Sequence, residues 1–132
     1  MLSRQDLRKI AKARLKDAEV LFTDGRYDGA VYLCGYAVEI AIKARICKHL
    51  RWAGFPESNK EFSKLQSLKT HDLEVLLSLS GIEAKVRTHH ITDWSIVITW
   101  NAEDRYKPIG SATRHHASNL IESAKRLMGV IQ

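Results

Sequence analysis

Residues 26–46 limit most strongly what this chain can fold into, because they predict a helix that is apolar on nearly every side. One apolar row recurs at spacings of three and four residues, and it consists of Tyr27, Ala30, Cys34, Ala37, Val38, Ala41 and Ile42. Val31, Leu33 and Ile40 cover the other sides. Such a helix belongs inside a bundle or between subunits rather than on a surface. The sequence therefore predicts an all-α fold built around this segment.

The rest of the chain divides into further helices with recognisable ends. Ser3 can cap a first helix that runs to about Phe22, and Gly25 suits its C-terminal end. The predicted helical segments are 3–22, 27–50, 61–68, 72–79, 82–90, 92–101 and a last one from 111 or 113 to 131. The first connection is short, so its two helices should be antiparallel neighbours. We expect a single domain over residues 1–132, an antiparallel up-and-down bundle of four to five main helices with minor helices between them.

The segment 92–101 is ambiguous from composition. Its run Trp94-Ser-Ile-Val-Ile-Thr-Trp100 is rich in β-branched and aromatic residues, which favour strands. However, the chain offers no other strand for it to pair with, and an isolated strand leaves its backbone groups unsatisfied. Because Trp94, Val97, Ile98 and Asn101 also fit one face of a helix, we predict a helix here.

Four motifs follow one another along the chain. They are Gly25-Arg-Tyr-Asp-Gly-Ala with Gly35-Tyr-Ala-Val-Glu39 and Ile42-Lys43, then Thr70-His-Asp-Leu73 with Leu76-Leu77, then Trp94, Val97 and Trp100 with Arg105-Tyr106, and finally residues 111–131. In this order they resemble the HEPN family (higher eukaryotes and prokaryotes nucleotide-binding domains) over nearly the whole chain. The resemblance implies a helical homodimer whose interface or cleft binds a nucleotide, RNA or a protein partner. In the family, such small proteins often pair with a minimal nucleotidyltransferase, as a two-component or toxin–antitoxin system.

The catalytic motif of this family is not matched. Catalytic members resemble one another in an Arg followed, after about four to six residues, by a His next to the last helix, a motif associated with metal-independent RNA cleavage. Here Arg105 has no His in that range, and nine residues separate it from His115. Arg45 reaches His49 after only three residues, on the second helix. We therefore assign no catalytic residue and expect a non-catalytic binding module.

The residues around the last loop and helix form a looser candidate anion site. Arg and His side chains beside a helix N-terminus suit a phosphate group. The candidate ligand-binding residues are Arg105, Tyr106, Lys107, Arg114, His115 and His116. The alternative interpretation is a solvated polar loop with Tyr106 packed against the bundle. A divergent ribonuclease that uses Arg105 or Arg114 with His115 or His116, and a purely structural adaptor, are the rival functions.

Glu39 and Lys43 form a charged pair one helical turn apart, and the resemblance matches them to a Glu and a Lys of the family's second helix. They could line a cleft. The favoured interpretation is a partly buried structural pair, bonded to His71 or Arg105, because ionisable groups in a core helix need a partner.

Charge and ligand spacing limit the remaining possibilities. The net charge of +6 permits phosphate-rich partners without requiring them. Basic residues recur every four positions along the first helix, at Arg4, Arg8, Lys12 and Lys16, as a solvated face or as a stripe that follows phosphates. No His or Cys spacing indicates a metal or cofactor. An N-terminus without an apolar signal core and the absence of a long apolar run favour a cytoplasmic protein.

The two cysteines fall on the same predicted helix. Cys34 and Cys47 are thirteen positions apart, which places their Cα atoms roughly 20 Å from each other along a helix. A disulfide needs a separation below about 7 Å, so we expect two buried thiols.

Overall fold

A computed structural model describes residues 1–132. Its α-helices are α1 (Arg4–Thr23), α2 (Tyr27–Leu50), α3 (Asn59–Phe62), α4 (Leu73–Leu79), α5 (Glu83–His89), α6 (Ile91–Val97) and α7 (Arg114–Ile131). Two 3₁₀ helices span Gln66–Leu68 and Ala102–Tyr106, and two short strands are β1 (Leu2–Ser3) and β2 (Gly54–Phe55). The predicted all-α bundle is confirmed, with three long helices and four short ones.

The hairpin of α1 and α2 begins and ends as its sequence predicts. The Ser3 hydroxyl accepts a hydrogen bond from the Asp6 amide at 3.0 Å, which satisfies a donor at the start of α1. Gly25 follows the helix with a positive φ of 77°, and its amide donates to the Phe22 carbonyl at 3.0 Å. That left-handed conformation suits glycine, so the chain reverses within a few residues and α2 returns antiparallel to α1.

Helix α2 forms the centre of the core, in agreement with its apolar sequence. Twelve of its residues are buried: Ala30, Val31, Cys34, Gly35, Ala37, Val38, Glu39, Ala41, Ile42, Ala44, Ile46 and Cys47. Helices α1, α4 and α7 pack around it, together with the second 3₁₀ helix. No helix in the structure combines the length and apolar character required to span a membrane.

The two short strands are a feature that the sequence did not predict. Leu2 pairs with Phe55 and Ser3 with Gly54 in an antiparallel arrangement. A side chain at Gly54 would bring its Cβ within 2.2 Å of the Leu2 carbonyl oxygen, so this close approach requires glycine. The pairing ties the beginning of α1 to the chain that leaves α2.

The segment 92–101 is helical as predicted, but the helix is shorter than predicted. Helix α6 begins at Ile91 and ends at Val97 instead of continuing to Asn101. Beyond it the chain turns, and the buried Trp100 packs its ring directly over Gly35 of α2. The ring also meets that of Tyr36 edge-to-face, with centroids 5.2 Å apart. Because of this contact with α2, Trp100 does not continue helix α6.

Both cysteines are buried in α2 as free thiols. The Cys34 thiol lies 3.6 Å from the Leu120 carbonyl oxygen of α7. Burial, with a smaller contribution from Glu19, raises the pKa of Cys34 to about 12. A thiol with such a pKa stays protonated near neutral pH, so Cys34 is a packing residue rather than a nucleophile.

Candidate functional site

The chain that leaves Trp100 is shaped by a capping box. The Asn101 side chain accepts from the Glu103 amide at 2.8 Å, and the Asp104 carboxylate accepts from the Asn101 amide at 3.1 Å. These two bonds satisfy orphan donors at the start of the 3₁₀ helix. The helix therefore ends in a defined position and presents Arg105 and Lys107 from its C-terminal side.

A second anchor joins the loop to the first turn of α2. The Asp28 carboxylate accepts from the Gly110 amide at 2.7 Å and from the Ala112 amide at 2.9 Å. These two hydrogen bonds lower the pKa of Asp28, since they favour its charged form. Gly110 has a φ of 89°, which lets the loop turn toward Asp28.

The start of α7 completes the arrangement. The Thr113 hydroxyl caps the helix and accepts from the His116 amide at 3.1 Å. His116 is therefore held on the first turn, next to backbone N–H groups that have no partner within the helix.

These three anchors surround a cleft of about 430 Å³ between α2, the loop and α7. Its charged and aromatic lining includes Asp28, Tyr32, Arg105, Lys107 and His116. The volume falls within the range of small-molecule sites, which is about 300–1,000 Å³. We call this space the loop cleft.

The structure brings together three of the six predicted ligand residues. Arg105, Lys107 and His116 line the loop cleft, whereas Tyr106, Arg114 and His115 do not. Tyr106 is 72% exposed, so the expectation that it packs against the bundle is wrong. It instead lies beside the Arg105 guanidinium, whose carbon is 4.7 Å from the centre of the ring.

The two cations of the loop cleft differ in how they are balanced. Lys107 lies 3.2 Å from a carboxylate oxygen of Asp104. Arg105 has no carboxylate within 4.0 Å, and its one hydrogen bond to the backbone is a 3.4 Å contact with the Ala102 carbonyl. The hydroxyls of Tyr106 and then Tyr32 raise the pKa of Arg105. Its charge is therefore fixed and remains available to an incoming anion.

Glu39 and Lys43 do not line the loop cleft. Glu39 is 2% exposed, and its carboxylate lies 3.1 Å from the Lys43 ammonium. The His71 Nδ1 atom lies 3.0 and 3.1 Å from the two oxygens of Glu39. The partner is thus His71 rather than Arg105. The buried Glu39 carboxylate is compensated by Lys43, which is largely buried, and contacts the exposed His71.

Sequence reasoning missed Asp28 and Tyr32 as residues of the loop cleft. Asp28 looked like an ordinary acidic residue in the first turn of a helix, where a negative charge is common. Its partners lie 82 and 84 positions away, and no local signal indicates them. Tyr32 lies on an apolar helix, and only its place near the N-terminal end of α2 could have suggested exposure. No group of three or more His, Cys, Asp or Glu side chains is arranged to hold a metal ion.

Comparison with known proteins gives one match. A family model described as the HEPN domain matches residues 4–53, which cover α1, α2 and the turn that follows. No curated protein and no solved structure matches the chain. The resemblance is therefore confirmed over the first hairpin, whereas the motifs beyond residue 53 remain predictions.

Proposed function

We propose that the chain, whose residues 4–53 match the HEPN family model, is a non-catalytic module that binds the phosphate of a nucleotide or of RNA in the loop cleft. The single observation that carries this proposal is that Arg105, which forms no ion pair with a carboxylate, lies beside Lys107 and His116 in one concave space. A guanidinium without a carboxylate partner is well suited to a phosphate, to which it can donate two hydrogen bonds.

The start of α7 adds to the attraction of an anion. The first backbone N–H groups of a helix lack acceptors within it, and the helix dipole places partial positive charge there. His116 lies on this turn and lines the loop cleft.

A second candidate is a divergent metal-independent ribonuclease. Arg105 and His116 line the same cleft, although ten residues separate them and the spacing typical of the family's catalytic motif is absent. A His can move a proton while an Arg stabilises a pentavalent phosphate, so this pair is the observation that favours the alternative. Loss of RNA cleavage on replacing His116 with Ala would establish this function in place of the first one.

We also propose that the module acts as a homodimer and pairs with a minimal nucleotidyltransferase, as the resemblance implies. Apolar side chains that remain exposed around the loop, at Ile98, Tyr106 and Ile109, support an interface there. Sedimentation at micromolar concentration tests the dimer, and a single species of 15.0 kDa would contradict it.

Titration with a nucleotide and with a single-stranded RNA oligonucleotide tests the binding function. The variant is Arg105→Ala with Lys107→Ala, and the control is Arg14→Ala with Lys64→Ala, which removes the same charge from exposed positions outside the loop cleft. We expect the cleft variant to bind at least tenfold more weakly, because two direct cation–phosphate contacts are lost.

The control separates a local site from a general effect of net charge. Control and wild type should bind alike, and binding of both should weaken as salt rises when several phosphates are contacted. Equal affinities of the cleft variant and the control would remove the loop cleft as the binding site.

A further inference from the structure

Three arginine side chains meet at the far end of α2 from the loop cleft. Arg4 and Arg8 of α1 and Arg45 of α2 line one small pocket. Arg45 lies seventeen residues beyond Asp28, which corresponds to roughly 25 Å along the helix axis. We call these three side chains the arginine cluster, and it is separate from the cleft described above.

No carboxylate forms an ion pair with the arginine cluster, although Gln132 also lines its pocket. None of its three guanidinium groups has a carboxylate oxygen within 4.0 Å, and this holds for the terminal carboxylate of Gln132 as well. Asp6 is the sole acidic side chain in residues 1–16, and residues 40–56 and 123–132 contain none. Because like charges repel, such a cluster is unfavourable unless an anion joins it.

One donor of the cluster is buried without an acceptor. The Arg8 Nε atom is inaccessible to solvent and makes no hydrogen bond. A buried donor without an acceptor destabilises a protein, and the cost is larger when the donor belongs to a charged group. Arg45 uses one of its nitrogens to donate to the Ile131 carbonyl at 3.3 Å, and the remaining donors of its guanidinium are free for a ligand.

We propose that the arginine cluster is a binding site for a phosphate group. Ala41 and Ala44 also line the pocket, and their small side chains leave room beside the helix for an oxygen atom. The pocket has a volume of about 10 Å³, which suits one oxygen atom, so the other phosphate oxygens stay outside. Either inorganic phosphate or a phosphodiester of a nucleic acid backbone meets this requirement.

The exposed side of α1 favours a chain of phosphates over a single one. Lys12 and Lys16 continue the row of Arg8 at steps of one helical turn, and both are exposed and free of ion pairs. A nucleic acid backbone whose first phosphate binds the arginine cluster would contact these two lysines along α1. The affinity would then depend more strongly on salt with each phosphate contacted.

The test uses the full chain with Arg105→Ala and Lys107→Ala, so that the loop cleft does not contribute. Into this parent we introduce either Arg8→Gln or the control Lys9→Gln, which removes one charge at the neighbouring exposed position. The measurements are the melting temperature in inorganic phosphate against chloride at constant ionic strength, and the affinity for a single-stranded RNA oligonucleotide.

We expect phosphate at ten times its Kd to raise the melting temperature of the parent and of Lys9→Gln by about 4 °C or more, and to leave Arg8→Gln unchanged. If phosphate has no effect but RNA binds the parent and Lys9→Gln at least tenfold more tightly than Arg8→Gln, the site takes backbone phosphates. Equal responses of Arg8→Gln and Lys9→Gln to both ligands would overturn the proposal.

A second readout does not depend on the folding of Arg8→Gln. The Nε–H resonance of Arg8 in the unsubstituted cluster should shift on titration with whichever ligand binds, because a bound phosphate places a negative charge beside the Arg8 guanidinium. A resonance that stays in place at saturating phosphate and at saturating RNA would also exclude the site.

Discussion

Replacing Gly35 with Ala should destabilise the protein, although the same change stabilises most helices. A Cβ built at Gly35 lies 2.2 Å from three ring atoms of Trp100, while carbon atoms in contact prefer about 3.5–4.0 Å. The ring would have to move by about 1.3 Å or more. The helix itself cannot yield easily, because Cys34 and Ala37 beside it are fully buried.

The expected size of the effect follows from three contributions. Overpacking a core costs about 1–3 kcal/mol. Displacing Trp100 weakens its edge-to-face contact with Tyr36, which contributes about 0.5–1.5 kcal/mol. The better helix propensity of Ala offsets about 1 kcal/mol. The net loss in the free energy of unfolding is about 2 kcal/mol, which lowers the melting temperature by roughly 6–12 °C.

Urea unfolding followed by circular dichroism measures this loss, and the chain supplies a matched control. Gly129 lies in α7 with no atom within 4 Å of its virtual Cβ, so Gly129→Ala should be neutral or stabilising by about 0.5 kcal/mol. In a Trp100→Leu background, Gly35→Ala should lose most of its cost. If Gly35→Ala is as stable as wild type, the close packing of Trp100 on this helix is wrong.

Three further perturbations test other contacts. Glu39→Gln should lower the free energy of unfolding by about 3 kcal/mol in urea, because the half-buried Lys43 loses its carboxylate; an equally stable variant would contradict this. Arg126 holds the pKa of Asp93 below its usual value. The stability that this ion pair contributes is therefore complete above about pH 4 and is lost as the pH falls below that value. Asp93→Asn should therefore flatten the dependence of the urea midpoint between pH 5 and pH 2, and an unchanged slope would count against it. Thr113→Val removes the cap of α7 and should lower the free energy of unfolding, measured by thermal unfolding, by about 1 kcal/mol. A variant as stable as wild type would show that this hydrogen bond does not cap the helix.

The predictions from sequence were accurate where the determinants are local. Helix α2 has the predicted bounds of Tyr27 and Leu50, and α4 begins after Asp72, whose side chain accepts from the Glu74 and Val75 amides. The apolar run of α2, and the capping Asp72 and following Gly81 of α4, are local signals that can be recognised without knowledge of the fold.

The predictions were incomplete where contacts join distant parts of the chain. Helix α6 ends early because Trp100 fits against Gly35, 65 positions before it, and neither residue reveals this in isolation. Asp28 joins the loop cleft through amides that belong to another segment. Propensity and spacing describe neighbours along the chain, whereas the shape of a cleft depends on which segments the core brings together.

The loop that carries Arg105, Tyr106 and Lys107 is fastened to α2 at both of its ends. Trp100 lies on Gly35, and Ala112 hydrogen-bonds to Asp28, so α2 fixes the distance that the loop must span. The intervening residues 101–109 contribute only Ala102 to the buried core. A different sequence of equal length could be installed between these two attachments without refolding the bundle. The scaffold would thus hold different recognition loops between two attachment points at a constant distance, which makes it suitable for libraries of loop sequences.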